Sequence, residues 1–209
     1  DPDIDPIYQG SPTDTFFVNL MADEIFAALK DDPEFLLQFF LGDQLTQDVP
    51  EFHIDILKKM TAPDLKRLLL CIPRGHAKTT LAKLSVIWYY LFSRHRFAVY
   101  LSNSSSIAKN CCRDIVNFLK CDIFVSTFGQ PKFEKESENE GLWIFWITLP
   151  NGKDKRCILR AVGAGQQTRG INVDNQRPDI AVIDDLEDNE NTKTDAMKKN
   201  LDDWRYGTV

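Results

Sequence analysis

Residues 66–80, KRLLLCIPRGHAKTT, decide how this chain is read. The apolar run Leu68-Leu69-Leu70-Cys71-Ile72 has the length and composition of a buried strand, predicted over Lys66 to Ile72, and Lys78-Thr79-Thr80 opens a segment whose apolar residues recur at helical spacing. Between them lies a short loop with Gly75 as its single glycine. A strand that turns through such a loop into a helix offers backbone N–H groups and a lysine to phosphate oxygens, the arrangement of a P-loop. The match is relaxed, because Ile72 and Ala77 stand where the standard pattern, counted back from Lys78, has glycines. An ordinary strand–turn–helix connection with an incidental lysine is the competing reading.

About 100 residues downstream, Ile180-Ala181-Val182-Ile183 leads directly into Asp184-Asp185. Four apolar residues of this kind suit a strand buried on both faces. A carboxylate at the C-terminal tip of a parallel strand is positioned to hold Mg²⁺, because ligands of open α/β sheets collect at the carboxyl ends of the strands. A strand ending in a polar turn is the plainer alternative. The nine carboxylates between Asp179 and Asp203 would otherwise read as a solvated loop or helix face.

The 209 residues suffice for one α/β domain with a helical appendage and a core that needs no staples. Cys71, Cys111, Cys112, Cys121 and Cys157 lack the paired spacing of a zinc site and read as reduced, mostly buried thiols of a cytoplasmic protein. The longest apolar run, Leu84 to Phe92, is too short to span a bilayer, and the first residues carry no targeting pattern. A net charge of −6 excludes a domain that binds nucleic acid by overall charge, so DNA contacts would need local basic residues or assembly.

Residues 1–14, rich in Pro and Asp, read as a loose arm. Helical periodicity follows from Thr15 to about Lys30, from Pro33 through Phe40, and from Pro50 to Met60. Beyond the phosphate loop the pattern predicts a helix from about Thr79 to Phe92, a strand at Phe97 to Leu101 and a helix from about Ser105 to Leu119, the alternation of βαβ units with a parallel sheet. Leu142 to Leu149 and Arg156 to Val162, joined through Asn151-Gly152, predict a hairpin added antiparallel at an edge. A Gly/Gln-rich loop spans Gly163 to Gly170. The chain stops at Val209 soon after a helical pattern containing Met197, Leu201 and Trp204, which reads as a boundary inside a longer protein.

In combination, PRGHAKTT at 73–80, AVYLSNSSS at 98–106, the PNGK hairpin, GAGQQTRG at 163–170 and RPDIAVIDDLED at 177–188 resemble the ATPase domain of phage large terminase subunits, the DNA-packaging motors of tailed viruses. The likeness covers roughly residues 50–209. It implies a P-loop α/β domain of the RecA-like class over 61–209, with a mostly parallel sheet flanked by helices, and an N-terminal segment at 1–60 packed on it. It also implies ATP and Mg²⁺ as cofactors, and double-stranded DNA, a portal protein and a small terminase subunit as partners. A homo-oligomeric ring at the procapsid portal in the host cytoplasm would follow, with a nuclease domain after this one.

The resemblance implies roles for individual residues. Lys78 would meet the β- and γ-phosphates within the loop of Pro73, Arg74, Gly75, His76, Ala77, Thr79 and Thr80, whose backbone N–H groups from 75 to 79 would hold phosphate oxygens. Thr79 Oγ would ligate Mg²⁺, and Asp184 would hold the same ion through water. Asp185 stands where many such ATPases have a glutamate that orients the attacking water, and Glu187 is the alternative. Arg74 in cis and Arg169, offered to a neighbouring subunit, are the candidates for countering charge in phosphoryl transfer, although Arg169 also reads as a surface or salt-bridging arginine. Phe52, in Glu51-Phe52-His53, could stack on the base or simply belong to the core. His76 reads as a residue that shapes the loop, Arg177 as structural, and His53 and His95 show no metal spacing. The serines at 102–106 read as a helix cap. A helicase-like translocase and a nucleotide-gated binding module without turnover are the alternative functions.

Overall fold

The computed structural model describes residues 12–42, 45, 48–186 and 199, with side chains of the first helix from Met21 onward. Three helices come first, α1 (Pro12–Asp31), α2 (Pro33–Leu41) and α3 (Glu51–Met60). Asp32 separates the first two. Its carboxylate accepts from the N–H groups of Glu34 and Phe35, and Pro33 fits the first turn because it has no N–H to satisfy. α2 buries Leu36, Leu37, Phe39, Phe40 and Leu41, and Phe40 meets the rings of Phe118 and Phe124 across the core.

After residues 61–77 come α4 (Lys78–Phe92), β1 (Phe97–Ser102), α5 (Ser105–Lys120) and α6 (Asp122–Phe128). β2 (Lys132–Ser137), β3 (Leu142–Thr148), β4 (Asp154–Gly163) and β5 (Ile180–Ile183) complete the described fold. The strands form one open sheet in the order β2-β3-β4-β1-β5. β1 pairs parallel with β4 on one side and β5 on the other, whereas β2–β3 and β3–β4 are antiparallel. The architecture is therefore α/β with a mixed sheet flanked by helices.

Two expectations about this sheet are corrected. It is mixed rather than mostly parallel, and the hairpin is no edge addition. β4 runs beside β1 from Phe97↔Ile158 to Ser102↔Gly163, which places the second hairpin strand inside the sheet and leaves β2 as the edge. The reason is visible in the strand itself: Cys157, Ile158, Leu159, Ala161 and Val162 are all buried, so both of its faces are covered.

One face carries the main core, built by Ala98, Tyr100, Phe145, Cys157 and Leu159 of the strands against α1, α2, α4, α5 and α6. The opposite face holds Phe97, Val99, Leu101, Ile144 and Ile158 under Leu186 and the segment containing Ala164, Ile171 and Val173. At the end of β4 the backbone passes so close to α5 that a Cβ on Gly163 would lie 2.4 Å from Ser105 N. No helix among the described residues is long and apolar enough to cross a membrane.

The strand predicted at Lys66 to Ile72 does not form. These residues join no ladder of the described sheet, Leu69 is 86% exposed and Leu68 40% exposed. A strand is stabilised by its partner's backbone and by cover for its side chains, and this run has no ladder partner among the described residues and core cover only at Leu70 and Ile72. β5 is correspondingly half covered rather than buried on both faces, with Ile183 46% exposed. The predicted helix around Met197, Leu201 and Trp204 lies outside the described residues.

Candidate functional site

The site is carried by the N-terminal end of α4, and α4 is held firmly from its far end. Lys155 of β4 donates to the carbonyls of Tyr89, Tyr90 and Ser93, satisfying acceptors that a helix C-terminus leaves open. Burial lowers the pKa of this lysine. Trp88 donates to Lys30 O and Tyr89 to Met60 O, which ties the same helix to α1 and to the end of α3.

At the other end, the loop enters α4 through two residues of positive φ, Gly75 at 82° and Ala77 at 53°. Ala77 at the cap position has no side-chain acceptor for the first N–H groups of α4, which face the loop. Ala77 occupies a left-handed position that costs an alanine on the order of 1 kcal/mol and costs glycine almost nothing, which accounts for the glycine of the standard pattern. His76 Nδ1 lies 3.0 Å from Arg74 O, within the same turn. The Lys78 ammonium folds back on the loop entrance, donating to Ile72 O at 2.8 Å and Pro73 O at 3.0 Å.

The second element of the site is the paired C-terminal end of β1 and β5. The Asp179 carboxylate accepts from the N–H groups of Arg96 and Phe97 while its own N–H donates to Phe97 O, which locks the start of β5 to the start of β1. The parallel register Leu101↔Ile183 continues through Asp184 N–H to Leu101 O, and Asn103 N–H donates to Asp185 O. Asp185 has a positive φ of 44° at the point where the chain leaves the sheet.

These two elements enclose a polar cavity of about 210 Å³ lined by Arg74, Gly75, His76, Ala77, Lys78, Thr79 and Asp185. An adjoining cavity of about 220 Å³, largely apolar, is walled by Leu37, Leu41, Val49, His53, Thr80 and Leu81 among others, and Ala77 borders both. Nε2 of His53 is buried there with no hydrogen-bond partner among the described residues. A charged end and an apolar end meeting at one residue suit a ligand with anionic and apolar parts.

Several predicted residues fall into place differently than expected. Thr80 faces the apolar cavity, and Pro73 contributes its carbonyl to Lys78 instead of lining the polar one. Phe52 is 41% exposed and packs against the rings of His53 and His76, so neither cavity is lined by it. Arg169 sits in the exposed turn after β4 and does not line the polar cavity. Glu187 lies outside the described residues. Asp184 and Asp185 part company: Asp185 lines the cavity, whereas Asp184 Oδ2 accepts a hydrogen bond of 2.8 Å from the Tyr100 hydroxyl.

Tyr100 was not anticipated as a site residue. Its signal in the sequence is a phenol within the apolar run AVYL, where a buried hydroxyl needs a partner. Burial raises its pKa well above the ordinary phenol value, and the neighbouring Asp184 charge adds to the rise. Cys111 of α5 lies beside the same hydroxyl, and burial raises its pKa as well.

All five cysteines are free: Cys111, Cys112 and Cys157 are buried, Cys121 is half-buried and Cys71 is exposed. No group of three or more His, Cys, Asp or Glu side chains among the described residues is placed to hold a metal alone. The Thr79 hydroxyl and the Asp185 carboxylate, which line the polar cavity, are hard oxygen donors of the kind that suits Mg²⁺ when phosphates and water complete its shell, and Asp184 directly precedes Asp185 in the chain. Comparison of the chain with protein-family models and with curated proteins gives no significant match.

Proposed function

We propose that the protein is a Mg-dependent ATPase of the P-loop, RecA-like class, the motor domain of a viral large terminase that drives double-stranded DNA into procapsids. The observation that carries the ATPase reading is the polar cavity, where Lys78, Thr79, an uncapped helix N-terminus and Asp185 converge from distant parts of the sequence. Backbone N–H groups at the start of α4 and the Lys78 ammonium would hold the phosphates. The adjoining apolar cavity would take the base. Thr79 and Asp184 would hold Mg²⁺, which when bound neutralises phosphate charge. Asp185, which lines the polar cavity, would orient the attacking water. The assignment to a packaging motor rests on the motif resemblance, and with it the portal, the small terminase subunit and the ring.

Phosphate release by wild type, Lys78→Ala, Asp185→Asn and Glu187→Gln tests this. Lys78→Ala and Asp185→Asn are expected to lose at least a hundredfold in turnover. Hydrolysis by Lys78→Ala at the wild-type rate overturns the phosphate-site assignment. Loss in Glu187→Gln with activity retained in Asp185→Asn moves the water-orienting role to Glu187.

A further inference from the structure

We infer that Tyr100 is a positioning residue that sets the orientation of the Asp184 carboxylate toward the cation, through a hydrogen bond made from the neighbouring strand. The inference rests on the nucleotide-site reading above and extends it to a residue outside the two cavities.

The geometry follows from the sheet. Tyr100 pairs with Val182 in the parallel β1–β5 ladder, and residues two apart on a strand share a face, so Asp184 emerges beside the Tyr100 ring. The ring is completely buried and cannot swing out to water. Its hydroxyl donates to Asp184 Oδ2 at 2.8 Å. The Cys111 thiol, also beside that hydroxyl, is a weak partner. A carboxylate accepts up to about four hydrogen bonds or ligands, and the phenol takes one of them. The half-buried carboxylate sits at the C-terminal end of β5, where the backbone of Asp184 and Asp185 is already pinned to Leu101 and Asn103.

A ligating carboxylate held in this way keeps one rotamer before the ion arrives, so less ordering remains to be done on binding. Partners of ligating groups typically change metal affinity by about ten- to a hundredfold when removed. The two aspartates then divide the work. Asp184 is fixed by a buried phenol, and Asp185 lines the polar cavity with no such tether among the described residues.

The test measures Mn²⁺ binding by electron paramagnetic resonance in the presence of ADP, alongside fluorescent ADP binding in EDTA. Tyr100→Phe is expected to weaken Mn²⁺ by about tenfold, with metal-free ADP affinity and the circular dichroism spectrum unchanged. Mn²⁺ affinity within twofold of wild type overturns the inference. So does undiminished Mn²⁺ affinity in Asp184→Asn, which would remove the carboxylate from the ion.

A measurement on the unaltered protein guards against misfolding of the variant. The proton of the buried Tyr100 hydroxyl is expected to shift in the NMR spectrum when Mg²⁺ joins the ADP complex, and a resonance that does not move overturns the inference. Failure of wild type to bind ADP in EDTA, or equal binding by Lys78→Ala, would refute the nucleotide site itself. That outcome is distinct from ADP binding with an unaltered metal response.

Discussion

β2 and β5 are the two edges of one sheet, and they are finished in opposite ways. β2 alternates half-buried and exposed residues, carries Lys132, Glu134, Lys135 and Glu136, and breaks register between Phe133 and Lys135. Its charges are used: Lys120 pairs with Glu136, Lys135 with Glu140, and Arg156 with Glu134. Charged side chains and a bulge are standard defences of a strand with one unpaired side. β5 has four apolar residues and no charge, and leaves Ile183 half in solvent. Leu68 and Leu69 are likewise uncovered. The charged edge is protected as an edge, whereas the apolar edge has the composition of an inner strand and no further ladder partner among the described residues.

The sharpest way to break this contrast is to cut into both regions and compare stability by urea titration. Phe145 of β3 is completely buried between Tyr90 and Phe133, and Phe145→Ala is expected to cost about 3–5 kcal/mol. Leu69→Ala is expected to change stability by less than about 0.5 kcal/mol. A loss of about 2 kcal/mol at Leu69 would mean that the run is packed in solution and that the contrast fails.

Gly163→Ala probes the seam where the covered part of the sheet meets α5. The new methyl would sit 2.4 Å from a backbone nitrogen, which cannot move aside as a flexible side chain could. A loss of about 1–3 kcal/mol is expected, and a neutral result would show that α5 moves freely away from β4.

Alkaline pH separates the regions through their thiols. Burial pushes the Cys157 thiol from 9.0 up to about 12. The folded pKa of this acid is raised, so its contribution is fully present below pH 9, where both states keep the proton. Above 9 the unfolded chain ionises first and stability falls, by up to about 1.4 kcal/mol per pH unit for this group, until the folded pKa is reached. Cys157→Ala should flatten that part of the profile. At neutral pH the exposed Cys71 should react with a thiol reagent well before the buried Cys112 and Cys157.

Much of the fold was legible because it is local. Periodicity located α1 to α5, and Asn151-Gly152 located the β3–β4 turn. What periodicity cannot supply is the identity of a neighbour: Leu68-Leu69-Leu70 and Ile180 to Ile183 have the same strand-like composition, yet one found a ladder partner and the other did not. β2 was missed because its charges hide a strand paired on one side only, and α6 because seven residues hold too few turns to show a period. In the site, Lys78, Thr79 and Asp185 were marked by spacing along the chain. Tyr100 and Asp179 act across strands, through a hydroxyl at 2.8 Å and a carboxylate that accepts two neighbouring N–H groups, and such relations depend on register.

The outer side of β5, unpaired among the described residues, also bears on how molecules of this protein meet one another. Unpaired N–H and C=O groups flanked by aliphatic side chains accept any extended segment that reaches them, including the uncovered leucines of a second copy. Association through that route would grow with protein concentration, form intermolecular sheet and leave β2 untouched. A single lysine at Ile183, facing water, would suppress it.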